Sequence, residues 1–334
     1  MKILSMNVHS LIEAEEEKKL LQFADMVAAE LPDLIGLQEV NQTRSGPAAG
    51  YLAGVPEGLE ETDDLAGVKG QGRQKGEPEG RKMKALEGYT ACGGREGEHR
   101  SPILLRRDNY ALRLAARLQE LGTPYYWTWI PVKLGYGRYD EGLALFSRTP
   151  VLDTDRFFIS RSQDYENWKT REILGIRTQP EGHDPVWCYT VHMGWWDDKE
   201  EPFKIQWEQV EKGLEARHDG EDSSLLWLMG DFNSPAQVRG EGYDLIAGWG
   251  WKDTYHLAKE KDAGITVEGA IDGWRDKLAG DGTDKGERGE GDVFGMRIDY
   301  IWCSKRVEIE RSAVVCDGRR YPKVSDHNGV MAIL

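Results

Sequence analysis

Residues 225–235, Leu-Leu-Trp-Leu-Met-Gly-Asp-Phe-Asn-Ser-Pro, restrict the fold of this chain more than any other stretch. An apolar run stops at Gly230, and Asp231, Asn233, Ser234 and Pro235 follow. A short apolar run bounded by turn formers reads as a buried strand. Residues at such a strand end are presented to a surface cleft by a rigid scaffold. Asp231 and Asn233 are two apart, so in extended geometry they share a face. One brings an anionic oxygen, the other an amide that both donates and accepts. The pair suits a divalent cation and a phosphate oxygen. It equally suits a strand that closes in an Asx-type turn, and a motif this short does not separate the two.

The start of the chain reads as strand, helix, strand. Residues 2–8 alternate with an apolar bias and contain Asn7-Val8. Ser10-Leu11-Ile12-Glu13 has the form of a capping box. Behind it Leu20, Phe23, Ala24, Val27 and Leu31 recur at helical spacing, and Pro32-Asp33 ends the run. Residues 33–40 form the next strand, with Gln38-Glu39 at its end. Such an order predicts helices layered on sheets. A helix is expected over 106–121, started by Asp108 or Asn109. Another is expected over 202–217, where Phe203, Trp207, Val210 and Leu214 share a stripe behind Pro202. Strands are predicted at 125–129, 142–147, 186–193, 298–303, 313–316 and 329–334, and helical or irregular elements at 243–251 and 274–278. Residues 43–100 are rich in Gly, Glu, Lys and Arg with little periodicity, so they read as a long insertion with little core of its own. A solvated excursion and a lid are both open readings of it. Residues 280–292 form a second Gly- and charge-rich loop. No internal repeat or clean linker is visible, so one domain over 1–334 with two insertions is expected.

The charge balance narrows the function. Among 334 residues the formal net charge is −15. That repels a polyphosphate and leaves no basic footprint for nucleic acid. Cys92, Cys188, Cys303 and Cys316 show no C-x-x-C spacing and read as reduced, mostly buried thiols of a cytoplasmic protein. No secretory signal opens the sequence, and no apolar run approaches the roughly 18 residues of a membrane span.

Asn7, Glu39, His192, Asp231, Asn233 and His327 each lie at or near a predicted strand end. Carboxylates, amides and imidazoles together are what a hard cation and a phosphoryl group require. Mg²⁺ takes few carboxylates and keeps several waters, so Glu39 with one or two partners would be enough. Each histidine needs an acidic partner to fix its tautomer, and Asp299 and Glu141 are the candidates.

These segments resemble the endonuclease/exonuclease/phosphatase superfamily of metal-dependent phosphoesterases. The matching motifs are Met6-Asn7, Leu37-Gln38-Glu39-Val40, Glu141-Gly142-Leu143-Ala144-Leu145-Phe146-Ser147-Arg148, Thr190-Val191-His192, Gly230-Asp231-Phe232-Asn233, Arg297-Ile298-Asp299-Tyr300-Ile301 and Ser325-Asp326-His327. The resemblance implies an α+β fold, a four-layer α/β/β/α sandwich of two packed, mainly antiparallel sheets with helices outside and the site at one rim. It implies Glu39 as main metal ligand, with Asn7 and Asp326 completing or supporting the site. Asp231 and Asn233 would orient the attacking water and a phosphate oxygen. His327 would pair with Asp299, and His192 with Glu141. Arg171 lies where the family places a phosphate-facing basic residue. The implied reaction is Mg²⁺-dependent in-line attack of water on phosphorus, with Mn²⁺ as a possible substitute. Either Asp231 or a histidine takes the proton.

The substrate is read from the aromatics. Trp195-Trp196 follows His192, so at least one indole should face the cleft as a platform for a sugar or a base. The acidic chain disfavours the base. Asn7-Val8-His9-Ser10, Tyr125-Tyr126-Trp127-Thr128-Trp129, Tyr139-Asp140-Glu141-Gly142 and His192-Met193-Gly194-Trp195-Trp196 further resemble the bacterial branch that contains maltose-6'-phosphate phosphatase. That implies a phosphatase acting on a small phosphorylated sugar. The alternative is an endonuclease or phosphodiesterase of the same fold acting on nucleic acid.

Overall fold

A computed structural model describes residues 1–53, 84–93, 103–218, 225–268 and 295–334. Its strands are β1 (Lys2–Asn7), β2 (Leu34–Thr43), β3 (Ala48–Ala53), β4 (Ile103–Arg106), β5 (Tyr126–Gly135), β6 (Tyr139–Ser147), β7 (Val151–Phe158), β8 (Glu172–Thr178), β9 (Val186–His192), β10 (Leu226–Asp231), β11 (Lys252–Asp253), β12 (Ala258–Lys261), β13 (Val267–Glu268), β14 (Gly295–Met296), β15 (Asp299–Cys303), β16 (Ile309–Val315) and β17 (Gly329–Ile333). The helices are α1 (Glu16–Glu30), α2 (Tyr110–Glu120), α3 (Phe203–His218), α4 (Gly242–Gly248) and α5 (Thr254–Leu257). Seven strands form one sheet in the order β12-β16-β17-β1-β2-β6-β5, and six form a second in the order β11-β15-β10-β9-β8-β7. The pairs β1–β2, β9–β10 and β12–β16 are parallel, and every other pair in the two sheets is antiparallel.

Strand parity builds the layers. Along β15, Tyr300 and Trp302 join one core, and Ile301 and Cys303 the other. Along β10, Leu228 faces the first core, and Trp227 and Met229 the second. The outer core includes Phe203, Trp207, Val210 and Leu214 of α3 and Tyr243 and Ile246 of α4. The inner one joins both sheets and continues into α1 and α2. Successive side chains of a strand point to opposite faces, so a double apolar strand is what a sheet covered on both sides demands. Gly36 of β2 marks a close approach of the sheets: a Cβ there would lie 2.6 Å from Met229 Sδ. Among the described residues five tryptophans, Trp127, Trp129, Trp207, Trp227 and Trp302, are fully buried. Core packing therefore accounts for much of the tryptophan content, and truncating one to Ala would cost about 3–5 kcal/mol. The architecture is the four-layer sandwich, helices outside two face-to-face sheets.

Several local expectations change. Ser10 and Glu13 do not form a capping box. Ser10 lies in a 3₁₀ turn, donates from Oγ to Glu39 O at 2.7 Å and accepts from Asn41 N at 3.0 Å, while α1 begins at Glu16. A tertiary use of the hydroxyl has displaced the local one. Leu31 is the left-handed C-cap of α1. Arg106 ends β4, and α2 starts after Asn109, whose side chain accepts from Leu112 N. Strands β7 and β8 were not foreseen. The 43–100 stretch is not all without core. Ala48–Ala53 pairs with Ile103–Arg106, and Tyr89 and Cys92 are buried, with the Tyr89 ring 4.7 Å from that of Trp127. Residues 54–83, 94–100, 274–278 and 280–292 lie outside the described residues, and with them the expected excursion or lid, the element at 274–278 and the second loop. All four cysteines are buried and unbridged. Among the described residues, no helix is long and apolar enough to cross a membrane.

Candidate active site

Two of the three parallel pairs, β1–β2 and β9–β10, deliver the site. Asn7 ends β1 beside Gln38 of β2, and Asp231 ends β10 beside His192, which ends β9. Asp299 starts β15 directly opposite Asp231, and His327 lies two residues before β17. One rim of the sandwich therefore collects polar ends from both sheets. The turn after β10 depends on Gly230, whose φ is +148° and whose Cβ, if present, would lie 1.9 Å from Val191 O. His9, Glu39 and Asn233 are non-glycine residues in the left-handed region, with φ of 43°, 53° and 46°. Such residues are uncommon and cost free energy that the surroundings must supply.

Two bulges flank Gly142 of β6. On the β2 side the register passes from Leu37↔Ala144 to Val40↔Gly142, so β2 carries an extra residue and Glu39 is turned toward the rim. On the β5 side it passes from Pro131↔Gly142 to Lys133↔Glu141, so Val132 is extra and Lys133 is turned the same way. Bulges re-aim side chains next to active sites. A Cβ on Gly142 would meet Ile130 O at 2.0 Å, which ties this double bulge to glycine.

Asn7 links the two sheets. Its Nδ2 donates to Glu39 Oε1 at 2.8 Å and to Asp231 Oδ2 at 3.2 Å, and its Oδ1 accepts from His9 N at 3.1 Å. Asp231 Oδ1 accepts from Asn233 N at 2.8 Å, and Asn233 Nδ2 donates to Met193 O at 2.9 Å. Asp231 Oδ2 lies 3.6 Å from His192 Nε2 and 3.7 Å from His327 Nε2. His327 Nδ1 is 2.9 Å from Asp299 Oδ2, which fixes that ring. His9 Nδ1 lies 2.8 Å from Glu13 Oε1 and 3.7 Å from Asp326 Oδ1.

Burial and neighbours then set the proton affinities. Burial raises the Asp231 carboxyl, Asp299 raises it further, and His327 and the two hydrogen bonds oppose this. Burial opposes charge on His327, but Asp299 and Asp231 outweigh it and hold its affinity well above the ordinary imidazole value. His192 goes the other way: burial, then Arg171, Lys133 and His327, push it well below. Two imidazoles at one rim thus differ in charge at neutral pH, one protonated and one neutral. Glu39 is raised by burial and by Glu141. Burial depresses both Lys133 and Arg171, and Arg171 lowers Lys133 further.

An open cleft of about 590 Å³ lies over these groups, and Glu39, Glu141, Arg171, His192, Trp195, Asp231, Asn233, Asp326 and His327 line it. Asn7 and Asp299 lie behind them, bonded to Glu39 and His327. Two expectations are corrected. Glu141 does not pair with His192: its Oε1 binds Lys133 Nζ at 3.0 Å, because the β5 bulge puts the lysine directly opposite. Trp196 turns away from the cleft and packs on Phe203, ring centroids 6.0 Å apart, while Trp195 faces it. The sequence reading passed over Lys133, Trp168, Tyr136 and His9, which also line the cleft. Pro131 inside an otherwise regular strand was the available signal for the bulge at Lys133. Trp168 stands three residues from Arg171 and packs on Trp195, with ring centroids 5.5 Å apart. Among the described residues no lysine or arginine pairs with Glu39. A half-buried carboxylate without a cationic partner, beside Asn7, Asp231 and Asp326, fits a hard divalent cation. Among the described residues two clusters are close enough to share an ion, His9 with Glu13 and Asp326, and Asp231 with Asp299 and His327.

The sequence model of the Endonuclease/Exonuclease/phosphatase family matches residues 4–327. No curated protein gives a match. Among solved structures, the chain is similar to an endonuclease/exonuclease/phosphatase family protein from Leptotrichia buccalis C-1013-b, with 26% identity, 99% of this chain and 98% of that one covered, and a TM-score of 0.70. It is similar in fold to the mannosyl-6-phosphatase Bt3783 of Bacteroides thetaiotaomicron VPI-5482 at 15% identity, covering 99% and 98% of the two chains, TM-score 0.57. It is likewise similar in fold to truncated Caenorhabditis elegans TDP2 at 14% identity, covering 99% and 95%, TM-score 0.52. With the sandwich, the polar rim and a match over nearly its whole length, the chain belongs to the endonuclease/exonuclease/phosphatase family of phosphoesterases.

Proposed function

We propose that this protein is a Mg²⁺-dependent phosphomonoesterase that releases phosphate from a small phosphorylated sugar. The observation that carries this reading is the cleft itself, where the paired indoles of Trp168 and Trp195 adjoin the buried cations Lys133 and Arg171. An indole face suits the apolar face of a sugar ring, and the cations suit its phosphate. The net charge of −15 also favours a small substrate over a polyanion. The fold shared with a mannosyl-6-phosphatase is in keeping with it.

Glu39, with Asn7 and Asp326 beside it, would hold the cation, which when bound polarises a phosphoryl oxygen and neutralises charge developing on it. The chain's own groups do the rest. Asn7 and the Asn233 amide fix the Asp231 carboxylate, whose raised proton affinity suits it to take a proton from the attacking water. His327, kept charged by Asp299, presents Nε2–H to the phosphoryl group and its leaving oxygen. Neutral His192 stands ready to donate one hydrogen bond to a phosphate oxygen. Glu141 keeps Lys133 in place. Positioning and electrostatics of this kind carry most of phosphoryl transfer.

The test is phosphate release across a panel of phosphorylated sugars, nucleotides and lipid headgroups, with Mg²⁺ or with chelator, beside a plasmid-nicking assay. Turnover of a hexose or disaccharide phosphate that stops in chelator is expected. Nicking without sugar-phosphate turnover would reverse the assignment.

A further inference from the structure

We infer that Lys133, together with Arg171, recognises the terminal dianion of a phosphomonoester and thereby selects monoesters against diesters. This rests on the phosphatase reading above and names the group that would confer it.

The β5 bulge is the first ground. Without Val132 as an extra residue, Lys133 would fall on the opposite face of β5. With it, Val132 enters the inner core and Lys133 stands opposite Glu141 in the cleft. Glu39 on β2 is delivered by the matching bulge across the same glycine. The fold thus commits an irregularity on each side of β6 to bring one anion and one cation to the same floor.

Charge is the second ground. Lys133 and Arg171 are each only 6% exposed, yet both border the cleft. Buried cations are normally paired. Here Glu141 is ion-paired with Lys133 at 3.0 Å. Arg171 Nη1 donates only to the carbonyls of Trp168 and Thr170, at 3.0 and 3.2 Å, and its buried Nε has no partner. Glu39 would face the divalent cation, and Asp231 lies against His192 and His327. Among the described residues no carboxylate forms an ion pair with Arg171, so its guanidinium borders the cleft with donor capacity to spare. A phosphomonoester carries about 1.5 to 2 negative charges at pH 7, and a diester carries one. A guanidinium fork and an ammonium point charge meet the extra oxygen anion of the former.

The probes are p-nitrophenyl phosphate and bis(p-nitrophenyl) phosphate in Mg²⁺, with inorganic phosphate as inhibitor. In Lys133→Met the monoester-to-diester ratio of kcat/KM should fall by about 10- to 100-fold, the range for a hydrogen bond to a charged group. The loss should lie mainly in KM, and Lys133→Arg should recover part of it. Glu141→Gln removes the competing anion, so the ratio should hold or rise. If the pair served only to hold the fold, both variants would lower both substrates alike, and an unchanged ratio in Lys133→Met overturns the inference. Should Lys133→Met fail to fold, the Lys133→Met/Glu141→Gln double variant, which buries no lone charge, is assayed for the same ratio. A wild-type protein that cleaves only diesters would refute the phosphatase reading by itself. Lys133 is then judged by phosphate: a roughly tenfold rise in the inhibition constant on Lys133→Met upholds its role, and no rise removes it.

Discussion

The two imidazoles at the rim respond to opposite chemistry, and this can be measured residue by residue. Asp299 and Asp231 raise His327. Its contribution to stability is therefore fully present below the unfolded imidazole value of about 6.5 and is lost as pH rises through the higher folded value. His192 is depressed by burial and by Arg171. Its burial is harmless above about 6.5 and weakens the fold as pH falls below that point, where the unfolded chain binds a proton that the folded one refuses. Urea denaturation across pH should show Asp299→Asn losing most stability at and below neutrality. His192→Asn should instead soften the loss on the acid side. If both variants track wild type with a constant offset, these charge assignments are wrong. In activity, Asp299→Asn should also move the alkaline limb of kcat to lower pH, because His327 gives up its proton more easily.

At the scale of elements, the site depends on how strand ends are tied to one another. The Tyr300 hydroxyl of β15 lies 2.6 Å from both Ser234 O and Arg297 O, its single proton shared between them, and so clamps the turn after Asp231 to the approach to Asp299. Arg297 sits over the Tyr300, Tyr255 and Tyr243 rings and binds Asp253 at 2.8 Å, which stiffens the clamp from behind. Tyr300→Phe should cost about 1–2 kcal/mol in unfolding free energy. It should reduce kcat at saturating substrate with little effect on KM, since it touches no substrate. Gly142→Ala is the harsher change. Its methyl would overlap a backbone oxygen that cannot step aside, so a loss of about 3 kcal/mol is expected. Because the same glycine faces both bulges, kcat/KM should drop further than the unfolded fraction explains. Gly142→Ala with normal kinetics would show that the bulges do not place Glu39 and Lys133.

For the whole molecule, the gathering of Glu39, Glu141, Asp231 and Asp326 at one rim of an already acidic chain is a standing repulsion that a cation relieves. Mg²⁺ at 100 times its Kd should stabilise the fold by about 2.7 kcal/mol, or roughly 4 °C in Tm for a chain of this size. Calorimetry in Mg²⁺ and in chelator measures this, and Glu39→Gln should abolish most of the difference. An undiminished shift in that variant would place the cation elsewhere, with the His9, Glu13 and Asp326 group as the next location to test.

Much of the sandwich was legible because its signals are local. Apolar runs ending in Gly, Pro or Asx announce strand ends, helical spacing announced the α3 stripe, and polar residues at those ends were the ones worth naming. Strands β7 and β8 were not legible, since Asp153, Asp155, Arg156 and Arg177 interrupt the apolar pattern, and Asp155 and Arg156 meet their partners, Arg217 with Tyr189 and Glu172, only in the folded chain. The pairings inside the cleft were not legible either. Glu141 meets Lys133 because one residue of bulge, permitted by a glycine on the neighbouring strand, reverses which face of β5 looks inward. Ser10 serves β2 instead of a helix, because its hydroxyl bridges Glu39 O and Asn41 N beside the β2 bulge. The order of residues along the chain determined which groups stand at the rim, through propensity and periodicity. Register between strands distant in sequence decided which of them touch, because a slip of one residue exchanges every face.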